Sequence, residues 1–204
     1  MSKPNLVIGI SAYSGGGKSA VADQLATILD KATVFHTDDY DVFSTLPNDY
    51  GQWLRNGAPQ SAISRPLLAQ HMASLRAGAP ITHPITHDII YPTPFIVFDC
   101  PDGRSPDFAD SIDLMVFLDT PLDVAMARRI LRDYFSGNQT LTPNQTQVLH
   151  ADLKGYLDYA RAAYLQMDIA VKPTCDLILD GTESIDALAR AIATCARLMA
   201  DTQQ

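Results

Sequence analysis

Short apolar runs alternate along the chain with segments whose apolar residues recur every three or four positions, a pattern that predicts strands and helices in turn. Leu6-Val7-Ile8 reads as a first strand. Over 18–29, Val21, Leu25, Ile28 and Leu29 share one side, the period of a helix packed on a sheet. Residues 32–36 predict a second strand. A helix over 64–75 puts Leu67, Leu68, His71, Met72 and Leu75 on one side and stops at Gly78. The runs within 92–99 and 112–118 are continuously apolar, as expected of strands covered on both faces. Thr120 is expected to cap the next helix, with Pro121 in its first turn and Asp123 completing a variant capping box. That helix breaks near Gly137-Asn138, and another starts after Thr142-Pro143. A last strand over 177–179 leads to a closing helix from about 184, with Ile185, Leu188, Ile192, Cys195 and Met199 along one stripe. Strands alternating with helices predict an α/β fold, a parallel sheet with helices on both faces. From Asp41 to about Gln60 the pattern fails: Pro47, Asn48, Gly51, Asn56, Gly57 and Pro59 leave no periodicity. The stretch is too long for mere linkage and reads as a substrate-side loop.

A chain of 204 residues with 47% hydrophobic content suits one domain with one core, spanning 1–204. Its net charge of −8 argues against nucleic acid, whose binding needs clustered lysine and arginine, and points to a small-molecule partner. No apolar run approaches the roughly 18 residues of a membrane span, and Met-Ser-Lys-Pro-Asn lacks a signal peptide's apolar stretch. The expectation is a cytoplasmic protein without a membrane partner; the oligomeric state stays open. Glu183 is the one glutamate among 23 acidic residues, so a catalytic or metal-binding acid is expected to be aspartate. Cys100, Cys175 and Cys195 form no Cys-x-x-Cys and fit reduced thiols. His83 and His87 have a helical metal spacing, but Pro84 between them removes the helix and with it the zinc reading.

The candidate chemistry lies in Gly9-Ile-Ser-Ala-Tyr-Ser-Gly-Gly-Gly-Lys18-Ser19, which follows the first strand and opens the first helix. This is the setting of a phosphate-binding loop. Bare glycines let main-chain N–H groups converge on anionic oxygens, and the helix N-terminus adds positive potential. Ser14, Gly15, Gly16, Gly17, Lys18, Ser19 and Ala20 are the expected nucleotide contacts, with Lys18 on the β and γ phosphates and the Ser19 hydroxyl on Mg²⁺. ATP and Mg²⁺ are the implied cofactors. Ala12 stands where this pattern usually opens with glycine.

These motifs, with Asp38-Asp39-Tyr40 after the second strand, a strand ending at Asp99, Arg128-Arg129-x-x-Arg132-Asp133, and Leu177-Ile-Leu-Asp180-Gly-Thr-Glu183-Ser, make the chain resemble the uridine kinase and nicotinamide riboside kinase group of P-loop small-molecule kinases. The resemblance spans most of the chain. It implies a three-layer P-loop NTPase fold with a kinase-type lid near 128–145 and a substrate-side insert over about 41–92. It also implies phosphoryl transfer from ATP to a hydroxyl of a nucleoside-like metabolite. By position, Asp38 falls on the residue that takes the acceptor's proton; the other role open to Asp38 and Asp39 is capping a turn. Asp99 stands where the group carries a metal-binding glutamate, or it serves the turn before Pro101-Asp102-Gly103. Arg128 and Arg132, four apart, share a helix face that would close over the triphosphate as catalytic cations, with Arg129 free to pair with Asp133. Uridine kinases hold the base with a Tyr-Asp-Phe motif and a downstream histidine; this chain has Pro84-Ile-Thr-His87-Asp88-Ile-Ile-Tyr91 there. Asp39, Tyr40, Trp53, Arg55, His87 and Tyr91 are the candidate substrate contacts. The other reading is a nucleotide-binding regulator that phosphorylates no metabolite.

Overall fold

The computed structural model describes residues 5–107, 109–137 and 140–202. Five strands form one parallel sheet: β1 (Leu6–Ser11), β2 (Ala32–His36), β5 (Phe95–Asp99), β6 (Leu114–Asp119) and β7 (Leu177–Asp180), side by side in the order β2-β5-β1-β6-β7. Between β2 and β5 the chain makes a 3₁₀ turn (Thr37–Phe43), α2 (Tyr50–Arg55), α3 (Pro66–Arg76) and a small antiparallel pair, β3 (Ile81–Thr82) with β4 (Ile89–Ile90). The remaining helices are α1 (Lys18–Leu29), α4 (Leu122–Phe135), α5 (Pro143–Gly155), α6 (Arg161–Ala170) and α7 (Ile185–Thr202); a π-helical turn, Tyr156–Ala160, joins α5 to α6.

The two-residue period of a strand sorts the core into layers. Leu6, Ile8 and Ile10 of β1 join Val97, Val116 and Leu118 beneath α1 and α7. Val7, Ile96, Phe98 and Met115 face the other way, onto Leu68, Met72 and Leu75 of α3. A third cluster of Tyr13, Phe117, Ala125 and Val171 seats α4 and the end of α6 against the carboxyl ends of the strands. β1, central and wholly buried, pairs Ile10 with both Asp99 and Val116, which fixes where the following loops begin.

α1 and β2 have the bounds their periodicity predicts. The helix expected over 64–75 starts at Pro66, whose fixed φ and missing N–H suit a first turn. Thr120 does not cap α4: it is fully buried, its hydroxyl donates to the Gly16 carbonyl (3.1 Å), and α4 begins after Pro121 without a side-chain cap. Thr142 does cap α5, in a reciprocal box with Gln145. On α7 the face toward α1 is completed by Ala189, Ala193 and Ala196, small residues that let the helices approach, while Ile185 is exposed. Within the aperiodic stretch, Asp49 caps α2 by accepting from the Gln52 N–H (2.9 Å), a helix too short for periodicity to reveal. Asn138 lies outside the described residues. No helix among the described residues is long and apolar enough to cross a membrane.

Candidate active site

The carboxyl ends of β1, β2, β5, β6 and β7 share one edge of the sheet, where open α/β folds build their sites. From β1 the chain turns through residues 12–17 and enters α1, with Gly15 (φ 85°) and Gly17 (φ 100°) in left-handed conformations. A methyl on Gly15 would sit 2.1 Å from the Ala125 carbonyl oxygen, so α4 lies directly on the loop. Ala12 is tolerated because the residue opposite has no side chain: a Cβ on Gly16 would come 2.7 Å from that of Ala12. The Gly16 N–H donates to Tyr13 O (2.8 Å), and Thr120 holds the Gly16 carbonyl from the end of β6.

Asp99, at the end of β5 and 3% exposed, is the polar centre of this edge. It accepts from the Ser19 hydroxyl (2.5 Å), the Thr37 N–H (2.8 Å) and the Thr37 hydroxyl (3.0 Å), and faces His36 Nδ1 at 3.4 Å. Burial works to raise its pKa, but these hydrogen bonds and the Lys18 charge prevail and hold the carboxyl at about 2. The His36 imidazole is raised to about 9, first by its hydrogen bond to Asp99. Ser19 and Asp99 are a hydroxyl and a carboxylate in contact, a hard-oxygen pair that suits Mg²⁺, an ion usually held by one or two protein oxygens with phosphate and water completing its shell. Burial pushes the Lys18 ammonium down, while Asp99, Asp38 and Asp102 favour its charged form. Asp38 acts on Arg132 in the same sense, so Lys18, Asp38, Asp99 and Arg132 converge electrostatically.

Two cavities open here. One of about 600 Å³ is lined by Gly15 to Val21, Arg128, Arg132 and residues 181–185. The structure thus gathers the expected nucleotide contacts from Gly15 to Ala20; Ser14 precedes the lining. Arg132 lines the cavity and bonds Asp133 (2.7 Å). Arg128 also lines it, but its guanidinium donates to the Gly181 carbonyl (2.8 Å) and so ties α4 to the loop after β7. Arg129 turns away, reaching Asp133 and Asp152 at 3.4 Å each.

The second cavity, about 450 Å³, lies between the 41–65 segment and the helix running from 155 to 171. Of the candidate acid and substrate contacts, Asp38 and Trp53 line it. Five other candidates do not. Tyr40 is fully buried in the core beside α3, with its hydroxyl 3.0 Å from His71 Nδ1. Arg55, His87 and Tyr91 are exposed and line neither cavity: Arg55 ends α2, His87 lies in the turn between β3 and β4, and Tyr91 follows β4. Asp39 likewise lines neither, and faces His83 Nε2 at 3.5 Å. The walls are made instead by Tyr50, Tyr156, Tyr159 and Tyr164, and a buried Arg65 stands between Asp41 and Asp102. Sequence reasoning missed these because Tyr50 lies in the aperiodic stretch, Arg65 at the entry to α3, and Tyr156, Tyr159 and Tyr164 far along the chain, where no motif links them to the sheet edge. A π-helical turn at 156–160, a feature common at functional sites, marks this wall in the structure and is invisible in periodicity.

No family model matches the chain. It is similar over most of its length to curated uridine kinases. It is 28% identical to the uridine kinase of Shewanella piezotolerans over 87% of this chain and 88% of that one. It is 26% identical to the uridine kinase of Borrelia garinii subsp. bavariensis over 85% of each. Uridine-cytidine kinase A of Dictyostelium discoideum is 26% identical over 91% of this chain, which spans only 38% of that longer protein. Among solved structures, shikimate kinase from Bacteroides thetaiotaomicron superposes with a TM-score of 0.51 at 11% identity, covering 94% of this chain and 98% of that one, which shows the P-loop kinase fold.

Proposed function

We propose that this chain is an ATP-dependent phosphotransferase that moves the γ-phosphate to a hydroxyl of a small metabolite, a nucleoside or nucleoside-like compound. The observation that carries this reading is Asp38, a carboxylate lining a cavity of about 450 Å³ while acting on the Lys18 and Arg132 charges of the neighbouring phosphate cavity. Similarity to uridine kinases supports the nucleoside class; the segment 84–91, which lacks their base-holding motif and lies outside the cavity, leaves uridine itself unassigned.

In the proposed reaction the acceptor enters between Trp53 and the tyrosines of the long helix. Its hydroxyl proton passes to Asp38 as the oxygen attacks the γ-phosphorus, and the bond from that phosphorus to the β–γ bridging oxygen breaks, so that ADP leaves with the electron pair. The loop amides, Lys18 and Arg132 meet the charge that develops on the transferring oxygens. Ser19 and Asp99 would hold Mg²⁺, which neutralises phosphate charge when bound. Residues 1–204 act as one kinase domain in this scheme, with 41–92 as the acceptor-side insert and about 128–145 as the lid.

Incubation with Mg-ATP and a panel of nucleosides, sugars and pantothenate tests the proposal. A phosphorylated product is expected; ADP release indifferent to every acceptor would instead make the protein a nucleotide-driven regulator. Lys18→Ala and Asp38→Asn are each expected to abolish transfer, with Asp38→Asn still binding ATP. Full turnover in Asp38→Asn would exclude the mechanism.

A further inference from the structure

Among the described residues no hydrogen bond holds the Asp38 carboxylate, so its place is set by the 3₁₀ turn that carries it. That turn is anchored at its start, where the N–H and hydroxyl of Thr37 both reach Asp99. Its far side is anchored through a different group. In a 3₁₀ helix residues i and i+3 stand above one another, so Asp41 lies on the side of Asp38, and both line the acceptor cavity. Asp41 accepts from Arg65 Nη1 at 2.7 Å, and the same nitrogen reaches the Ser44 hydroxyl at 3.4 Å. The opposite edge of the guanidinium, Nε and Nη2, bonds Asp102 at 3.0 Å, on the loop that leaves Asp99. Arg65 is itself fixed by backbone: Ser64 exchanges two hydrogen bonds with Thr45, and the Arg65 N–H donates to Asp107.

We propose that Arg65 is a positioning residue of the transfer step, a strut whose guanidinium holds the turn bearing Asp38 against the loop that follows Asp99. The turn is then tied on either side of the acid, at Thr37 to the last residue of β5 and at Asp41 to the loop that follows it. The strut needs arginine: a planar fork serves two carboxylates at once, whereas a lysine ammonium is a compact point charge that cannot present two edges. The side chain is 6% exposed and committed to protein partners, so it positions the acid and does not serve as a docking charge for an anionic acceptor. The catalytic half of this inference rests on the kinase reading above.

The test pairs Arg65→Lys with Asp41→Ala, the second leaving Arg65 on Asp102, and measures amide exchange and steady-state kinetics. Exchange across 37–43 is expected to quicken at least 10-fold in both variants while β1 and α1 keep wild-type protection. Turnover of whichever acceptor the wild type phosphorylates is expected to fall 10- to 100-fold, with the KM for ATP within 3-fold of wild type. Unchanged exchange over 37–43 overturns the strut, and a loosened turn with undiminished kcat overturns its catalytic role. A kcat loss matched by loss of ATP binding and of protection throughout the sheet would make Arg65 a general fold residue and also overturn the proposal. If the wild type phosphorylates nothing, the kinase reading and Arg65's part in transfer both fail, and exchange over 37–43 still decides the strut.

Discussion

At the scale of single residues, the phosphate loop depends on contacts that its own motif does not contain. Thr120 comes from the end of β6, yet its buried hydroxyl is the partner of the Gly16 carbonyl in the middle of the loop. Replacing the hydroxyl by a methyl keeps the shape and removes the donor, leaving a buried carbonyl unpaired at a cost of about 1–3 kcal/mol. Thr120→Val is therefore expected to lower the melting temperature and weaken ATP binding, measurable by thermal unfolding and calorimetric titration. Wild-type affinity in that variant would show that the loop holds its form without β6. Ala12 carries a related lesson. Its departure from the glycine pattern is harmless only because Gly16 lies against it, a compensation set by backbone proximity.

At the scale of elements, the ends of β2 and β5 are coupled by one carboxylate. In the folded protein Asp99 sits at about 2, below the roughly 3.9 of an unfolded aspartate. Its contribution, on the order of 2 kcal/mol, is complete above about pH 4 and lost as pH falls toward 2. His36 is raised to about 9, so its contribution is complete below about pH 6.5 and lost as pH climbs through 9. In metal-free protein the melting temperature is expected to plateau between these limits and decline on both sides. His36→Gln should remove the alkaline decline and leave an acid one; an unchanged alkaline limb would assign that loss to another group. The same scale explains why the acceptor wall was illegible. A π-helical turn at Tyr156–Ala160 resets which residues of the long helix face inward, and a helical wheel drawn straight through it misplaces the tyrosines.

At the scale of the molecule, the site is assembled on one edge of a sheet whose stability comes from the opposite surfaces. Ile192 of α7 is fully buried against the sheet and α1, and touches neither cavity. Ile192→Ala is expected to destabilise the protein by about 2–5 kcal/mol, read as a lower melting temperature, with the KM for ATP unchanged. Saturating Mg-ATP should recover part of that loss, about 2.7 kcal/mol at 100 times its Kd; a shifted KM would mean that α7 also shapes the nucleotide cavity. Period, glycine spacing and strand ends are local properties, so the chain's own pattern was enough for the parallel α/β architecture, the bounds of α1 and β2 and the phosphate loop. Tertiary structure alone decided that Tyr40 is core, that Arg128 is engaged by Gly181, and that Arg65, Asp41 and Asp102 meet at the acceptor cavity. The reason is physical: a residue's burial and its charge partner depend on segments brought together from distant parts of the chain, and no local period records which segments those are.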